Sequence, residues 1–434
     1  MSPIAIGGIG LALLFVLWAV GVPIGISMIA VGLGGIWCLT SSTSAFVTAG
    51  LHPFSTIYTY EFACLPLFVI MAEAILLSGF GADLYALARK WLGHLRGGIG
   101  IATIGACAVF AAMSASPMAA TITMTTVALP EMKRSKYDLS LAAGTIAAGG
   151  TLGPLIPPSG LLIIYGIMAE ESIGQLFIAG IVPGIVLAGM MMAMIYIRGR
   201  INPKLCPPGP SSTFKEKLLA PAGCFEVILL VFLVLGGLLI GWFTPTEAGA
   251  VGAFGAFVFA LIRRRMNWPK FRETLFETAR TTGMLFLNII GALLLSRFIA
   301  MTTLPMQLSN WIGGLDWPPL AIMALIIVVY LILGMFIDAG PLFFLTVPIF
   351  LPLSTALGFD PIWFGILLVL VTNMAILTPP VGGNVWLMYG ITRGTVPMET
   401  IFKGVIPFVL VMLICCFLLL FVPEIALFLP KLMG

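Results

Sequence analysis

Apolar stretches almost free of charge recur along this chain from Ile4 to Leu429. Each bilayer crossing takes about 20 mostly apolar residues, so their number predicts about ten crossings. Of 434 residues, 60% are hydrophobic and 9% are charged, against roughly 25% charged in an ordinary soluble chain. No soluble fold could hide that much apolar surface. Lipid offers backbone groups no water partner, so the spans must be helices. The fold class that follows is an all-α polytopic membrane protein. Met1 to Ile9 has no basic n-region and no small-residue cleavage site, so this start is expected to be the first span and not a signal peptide.

Composition also removes several chemistries. His52 and His94 are the only histidines, which argues against a histidine-rich metal site or a histidine-based triad. No Gly-Lys dipeptide occurs, so a Walker A phosphate loop is absent. Cys38, Cys64, Cys107, Cys206, Cys224, Cys415 and Cys416 lie mostly in apolar runs without zinc-like spacing and are expected to be packed thiols. With carboxylates this sparse, the chain is expected not to be an enzyme.

The chain resembles itself at an offset of 222 residues. Tyr137-Asp138 then meets Phe359-Asp360, Pro130 meets Pro352, Pro157-Pro158 meets Pro379-Pro380, and Gly160 meets Gly382. Tyr165-Gly166-Ile167 returns as Tyr389-Gly390-Ile391, and Leu76-Leu77-Ser78 as Leu294-Leu295-Ser296. A shared order of pairs over about 100 residues marks a repeat and not an accident. The expected organisation is a first repeat over 1–200 with a hairpin at 99–130 and a broken span at 138–165. A linker follows at 201–221. A second repeat covers 222–434, with a hairpin at 319–353 and a broken span at 361–388.

Charge gives the two repeats opposite senses. The first hairpin has Arg89, Lys90 and Arg96 before it and Lys133, Arg134 and Lys136 after it, so both flanks belong in the cytoplasm. Thirty or so residues interrupted by Ser114-Ala115-Ser116-Pro117 suit a re-entrant hairpin, which must be buried in protein. The second hairpin is flanked by Asn310, Asp316 and Asp360 without nearby Lys or Arg, so it is expected to enter from the other side. That threading leaves Arg297 and Lys431 as the only basic residues outside the cytoplasm and places both termini in the periplasm. Arg263 to Thr282, basic and amphipathic, reads as an interfacial helix ahead of a span at 283–300, with a solvated connector as the bland alternative. A second arm is expected from Pro305 to Leu315.

Two segments cannot be continuous helix. Gly149 to Gly160 holds three prolines and four glycines, and Thr372 to Asn384 carries Pro379-Pro380 with Gly382-Gly383. Paired broken spans in inverted repeats point to a midplane site where freed carbonyls and half-helix ends face ions and anions, the alternative being plain proline kinks. Asp338, at the second hairpin's tip and far from any basic residue, is costly unless it meets a cation or strong donors. It suits a bound sodium ion, a helix cap or proton coupling. Ser114 and Ser116 at the first tip suit either sodium ligation or capping. Glu73 is a structural or a functional intramembrane carboxylate, and Arg297 either snorkels or meets substrate.

With these residues in place, the chain resembles the large membrane subunit of the tripartite ATP-independent periplasmic (TRAP) transporters, of the DctM type. The likeness rests on Gly149 to Gly166, Gly241-Trp242-Phe243-Thr244-Pro245-Thr246-Glu247-Ala248-Gly249, Ile337 to Pro341 and Thr378 to Gly382. It implies sodium-driven import of an organic acid across the bacterial inner membrane by an elevator motion. The implied acids are a dicarboxylate, sialic acid or another sugar acid. The implied partners are a periplasmic substrate-binding protein and a separate small four-helix membrane subunit. Carried over by motif, one sodium site involves Ser114, Ser116 and carbonyls near Gly153, and a second involves Asp338, Gly340, Thr378 and Gly382. Ser159 and Asn384 are the candidates for the acid. A stand-alone carboxylate or ion carrier without a binding protein is the competing transporter.

Overall fold

The computed structural model describes residues 2–433 apart from 59, 115, 210, 211, 305, 308–316, 338 and 381. Among the described residues the regular structure is all helical. Pro3–Ala19 (α1), Ile24–Leu39 (α2), Ser42–Ile57 (α3) and Cys64–Ser78 (α4) come first, then Phe80–Leu92 (α5). Gly98–Ser114 (α6) and Pro117–Arg134 (α7) form a helical hairpin, followed by Leu139–Gly150 (α8), Gly160–Ala169 (α9) and Ile173–Ile201 (α10). After the short Phe214–Leu219 (α11) come Phe225–Leu239 (α12), Pro245–Ile262 (α13) and Trp268–Met301 (α14). Pro319–Gly334 (α15), Ala339–Ala356 (α16), Pro361–Ala375 (α17), Gly383–Ile391 (α18), Met398–Phe421 (α19) and Glu424–Met433 (α20) complete the chain. Among the described residues five helical segments are long and apolar enough to cross a membrane unaided, and the chain is a multi-pass membrane protein.

Local chemistry sets the boundaries. Between α12 and α13, Gly241 takes a left-handed φ of +76° and Thr244 opens α13 through a capping box with Glu247. The Thr244 hydroxyl accepts from Glu247 N at 3.3 Å, and the Glu247 carboxylate accepts from Thr244 N at 2.8 Å. Gly249 then lets α13 close on Leu67 and Phe68 of α4. The conspicuous Gly241–Gly249 motif is therefore a turn, a cap and a helix contact.

Two layers result. In one, α1 to α4 pack with α12 to α14, the closest pair being α2 and α14. In the other, α6 to α10 pack with α15 to α20. Its centre is α8 and α17, buried at every residue from Leu141 to Gly150 and from Ile362 to Ala375. Gly144 of α8 meets Gly404 of α19 backbone to backbone, a crossing where any side chain would collide. Helix α5 joins the layers. At the basic end of the molecule, Arg265 pairs with Asp83 of α5 at 2.6 Å, Arg263 with Glu226 of α12 at 2.7 Å, and Arg89 of α5 with Glu131 of α7 at 2.6 Å.

Three sequence expectations change. The interfacial helix and the span after it are one helix, α14, of 34 residues and about 51 Å. Asn267 caps it by accepting from Lys270 N at 3.0 Å, and no proline lies between Pro269 and Met301 to stop it. The other two are helices without a predicted counterpart, α3 and α20. The second arm, expected from Pro305 to Leu315, falls largely outside the described residues. Six of the seven cysteines are buried free thiols, and Cys38 is exposed.

Candidate functional site

The hairpins and the broken helices meet in two places. Helix α7 of the first hairpin packs on α8 and on α18, the second half of the later broken helix. Helix α16 of the second hairpin packs on α17 and on α9, the second half of the earlier one. Each returning hairpin helix thus touches the broken helix of both halves. Tyr165 of α9 stands edge-on to Phe343 of α16, with ring centroids 6.3 Å apart, and its hydroxyl donates to Pro361 O.

At the first meeting point, Ser116 is the N-cap of α7, its hydroxyl accepting from Ala119 N at 3.3 Å. Ser114, the last residue of α6, is buried and its Oγ has no hydrogen-bond partner. Gly153 lies against this tip, a Cβ there falling 3.4 Å from Ser116 C and 3.5 Å from Pro117 N. Ser116 and Gly153 are therefore neighbours. Ser159 is fully buried, caps α9 by accepting from Leu162 N at 3.3 Å, and donates to Pro154 O. Its hydrogen bonds are internal to its own loop.

At the second, Gly334 ends α15 against Ala375 and Leu342, so this hairpin closes on the end of α17. Asp338 lies outside the described residues. Gly340 has open space where a Cβ would stand, and Thr378 donates to Met374 O at 2.8 Å. Gly382 opens α18 with φ +52°, a left-handed conformation that suits glycine. Both Pro-Pro bonds, Pro157-Pro158 and Pro379-Pro380, are cis.

Asn384 joins the two broken helices at the first meeting point. It is fully buried on α18, and its Nδ2 donates to Ala147 O of α8 at 3.2 Å. That carbonyl needs a donor because Thr151 N, its ordinary helical partner, bonds to Ala148 O instead at 3.0 Å. The Asn384 Oδ1 is left without a partner. Sequence reasoning missed Thr372 and Asn373, buried at the end of α17 with their side-chain polar atoms unpartnered. Unpaired buried groups of this kind call for a ligand or water. Only burial reveals them, since both lay inside the segment already marked as broken.

A separate cavity of about 600 Å³ is present. It lies between residues 60–62, the α9–α10 turn and the start of α13, and Glu61, Glu170 and Glu171 line it. Burial, then the nearby Asp360 carboxylate, raises the Glu171 carboxyl above its ordinary value. Ser114, Thr372, Asn373 and Asn384 place unpartnered buried oxygens at the convergence of hairpins and breaks, and none of them lines this cavity, so the candidate site is placed there. No group of three His, Cys, Asp or Glu residues suited to a metal occurs among the described residues. The unpartnered side-chain oxygens of Ser114, Thr372, Asn373 and Asn384 are neutral.

A family model described as the tripartite ATP-independent periplasmic transporter, DctM component, matches residues 11–425. The chain is 33% identical over 402 residues to the C4-dicarboxylate TRAP transporter large permease protein DctM of Pseudomonas aeruginosa, covering 92% of this chain and 93% of that one. It is 32% identical over 414 residues to the sialic acid TRAP transporter large permease protein SiaM of Vibrio cholerae, with 95% of each covered. The solved structure of the Alcanivorax borkumensis YdaH transporter shares the fold, with a TM-score of 0.64 over 86% of this chain and 85% of that chain at 15% identity. These sequence relatives are transporter permeases and not enzymes. The chain belongs to the DctM family, the large permease component of the tripartite ATP-independent periplasmic transporters.

Proposed function

We propose that this permease imports an organic acid across the bacterial inner membrane by sodium coupling, with both termini periplasmic. A periplasmic binding protein delivers the acid, and a separate small membrane subunit braces the permease. The observation that carries this reading is the convergence of two hairpins on two broken helices, with buried oxygens left unpartnered. The names of the relatives from Pseudomonas aeruginosa and Vibrio cholerae support an acid substrate. The two halves are inverted repeats. The layer of hairpins and broken helices moves as an elevator against the layer of α1 to α4 and α12 to α14.

In this reading sodium sits at each hairpin tip, by Ser114, Ser116 and Gly153 in the first half and by Asp338, Gly340, Thr378 and Gly382 in the second. The acid lies between the two broken helices, near Ser159 and Asn384. Ser159 spends its hydroxyl inside its own loop, so the carboxylate is met chiefly by the N-termini of α7 and α18, whose dipoles favour negative charge.

Reconstitution tests the whole. With its two partners in liposomes, the chain is expected to take up the acid only with an inward sodium gradient, and to show negligible uptake alone. Robust uptake by the chain alone would establish a stand-alone carrier instead. Asp338→Asn keeps the shape and removes the charge. It is expected to assemble and to raise the sodium concentration for half-maximal uptake about tenfold, about 1.4 kcal/mol of binding. Unchanged sodium dependence would remove Asp338 from the site, because Asn is a comparable helix cap.

A further inference from the structure

Asn384 has one side-chain end in use and one end free. Its amide nitrogen is held by Ala147 O, and that fixes the orientation of the amide, since the flipped form would set two acceptors against each other. The free end is therefore an oxygen, Oδ1, fully buried and without a donor.

What surrounds the amide is also rich in acceptors. A Cβ built at Gly150 would collide with Thr121 Oγ1, stand 2.8 Å from Pro117 O and 3.3 Å from Asn384 Nδ2. Thr121 has already given its hydroxyl hydrogen to Pro117 O, at 2.9 Å, so it too presents lone pairs. Ser114 Oγ, at the tip of the same hairpin, is buried without a partner. An ionised carboxylate brings no hydrogen to donate to such oxygens, whereas a small monovalent cation is what a neutral oxygen set accepts.

We propose that Asn384 Oδ1, contributed by the second half of the chain, is a ligand of the sodium ion at the first hairpin's tip, with Thr121 Oγ1 beside it. This rests on the sodium reading above and moves Asn384 from the acid to the ion. The ion then joins α18 to α7 and α8, so its binding stabilises the meeting of the two halves.

Thermal unfolding of the purified permease in detergent reads this without partners or transport. Sodium chloride is titrated against choline chloride at constant ionic strength. The wild-type midpoint is expected to rise with sodium, as for any ligand that binds the folded state. Asn384→Ala is expected to lose the part of that rise due to the ion at the first tip, whatever its starting stability, and to keep the part due to the second tip. Thr121→Val is expected to need about tenfold more sodium for half of the first part. Asn384→Asp cannot donate to Ala147 O but keeps an oxygen and adds charge, so it is expected to respond at sodium concentrations no higher than wild type. A sodium response in Asn384→Ala equal to the wild type overturns the proposal. Loss of the first-tip part in both Asn384 variants overturns it too, because the residue then acts through its bond to Ala147 alone. A wild type that ignores sodium refutes the sodium reading itself, and the inference with it.

Discussion

Every residue of the first break, from Thr151 to Ser159, is buried, whereas Pro379 and Pro380 in the middle of the second are exposed. The first break closes on itself. Thr151 donates to Ala148 O at 2.7 Å, Ser159 serves Pro154 and Leu162, and Asn384 takes the Ala147 carbonyl. In the second, Thr378 bonds to Met374 O, but Gly382 offers α18 no side-chain cap, and Thr372 and Asn373 remain unpartnered. The same proline and glycine signature therefore stops a helix in both halves without deciding what fills the gap. Irregular backbone at membrane depth is tolerated only against protein or water. The first break is a fitted part of the packed layer, and the second leaves its two prolines exposed and two buried side chains without partners.

The largest test of that difference is steric. A methyl group at Gly150 runs into Thr121 and the Pro117 carbonyl, part of the backbone of α7, which cannot swing aside. Gly150→Ala is expected to cost about 1–3 kcal/mol of stability by overpacking and to abolish most uptake. At Gly383 the nearest atom to a Cβ is Ile376 Cγ2 at 3.5 Å, an ordinary contact. Gly383→Ala is expected to stay within about 0.5 kcal/mol of wild type and to transport normally. Equal losses in uptake and melting temperature would erase the contrast between the breaks.

Accessibility is the second test. In a cysteine-free background, Thr378→Cys beside the exposed prolines is expected to react with a water-soluble maleimide at least about tenfold faster than the fully buried Ser159→Cys. Comparable rates would mean that both breaks face water.

How far the sequence carried these conclusions differs from one residue to another. The stops at Gly150 and Ala375 were legible because proline removes amide donors wherever it falls, and capping was one of the two readings open for Ser116, whereas the cap made by Ser159 was not foreseen. The length of α14 was not. The charges between Lys270 and Arg280 looked like the end of a span, yet charge does not interrupt helical hydrogen bonding. Helix α3 was hidden by Pro53 and a run of Ser and Thr that lowered its apolar signal. The role of Asn384 in bonding to Ala147 is a contact across 237 residues, and no local pattern encodes it.

The smallest test compares one aligned position in the two halves, Thr151 and Asn373, which the offset of 222 residues brings together. Thr151 is buried with its hydroxyl bonded to Ala148 O and facing Met412 Sδ at 3.9 Å. Thr151→Val keeps the shape and loses that bond, so it is expected to lower stability by about 1 kcal/mol. Asn373 is equally buried, but neither its oxygen nor its nitrogen has a partner. An amide in that condition costs about 1–3 kcal/mol, and an apolar group of similar size does not. Asn373→Leu is therefore expected to raise the unfolding midpoint of the purified protein without sodium or acid, and to impair uptake if a solute uses the amide during transport. The two substitutions should thus shift the midpoint in opposite directions. If both lower it, Asn373 is already satisfied in the resting protein, and the second break is as well supplied with partners as the first.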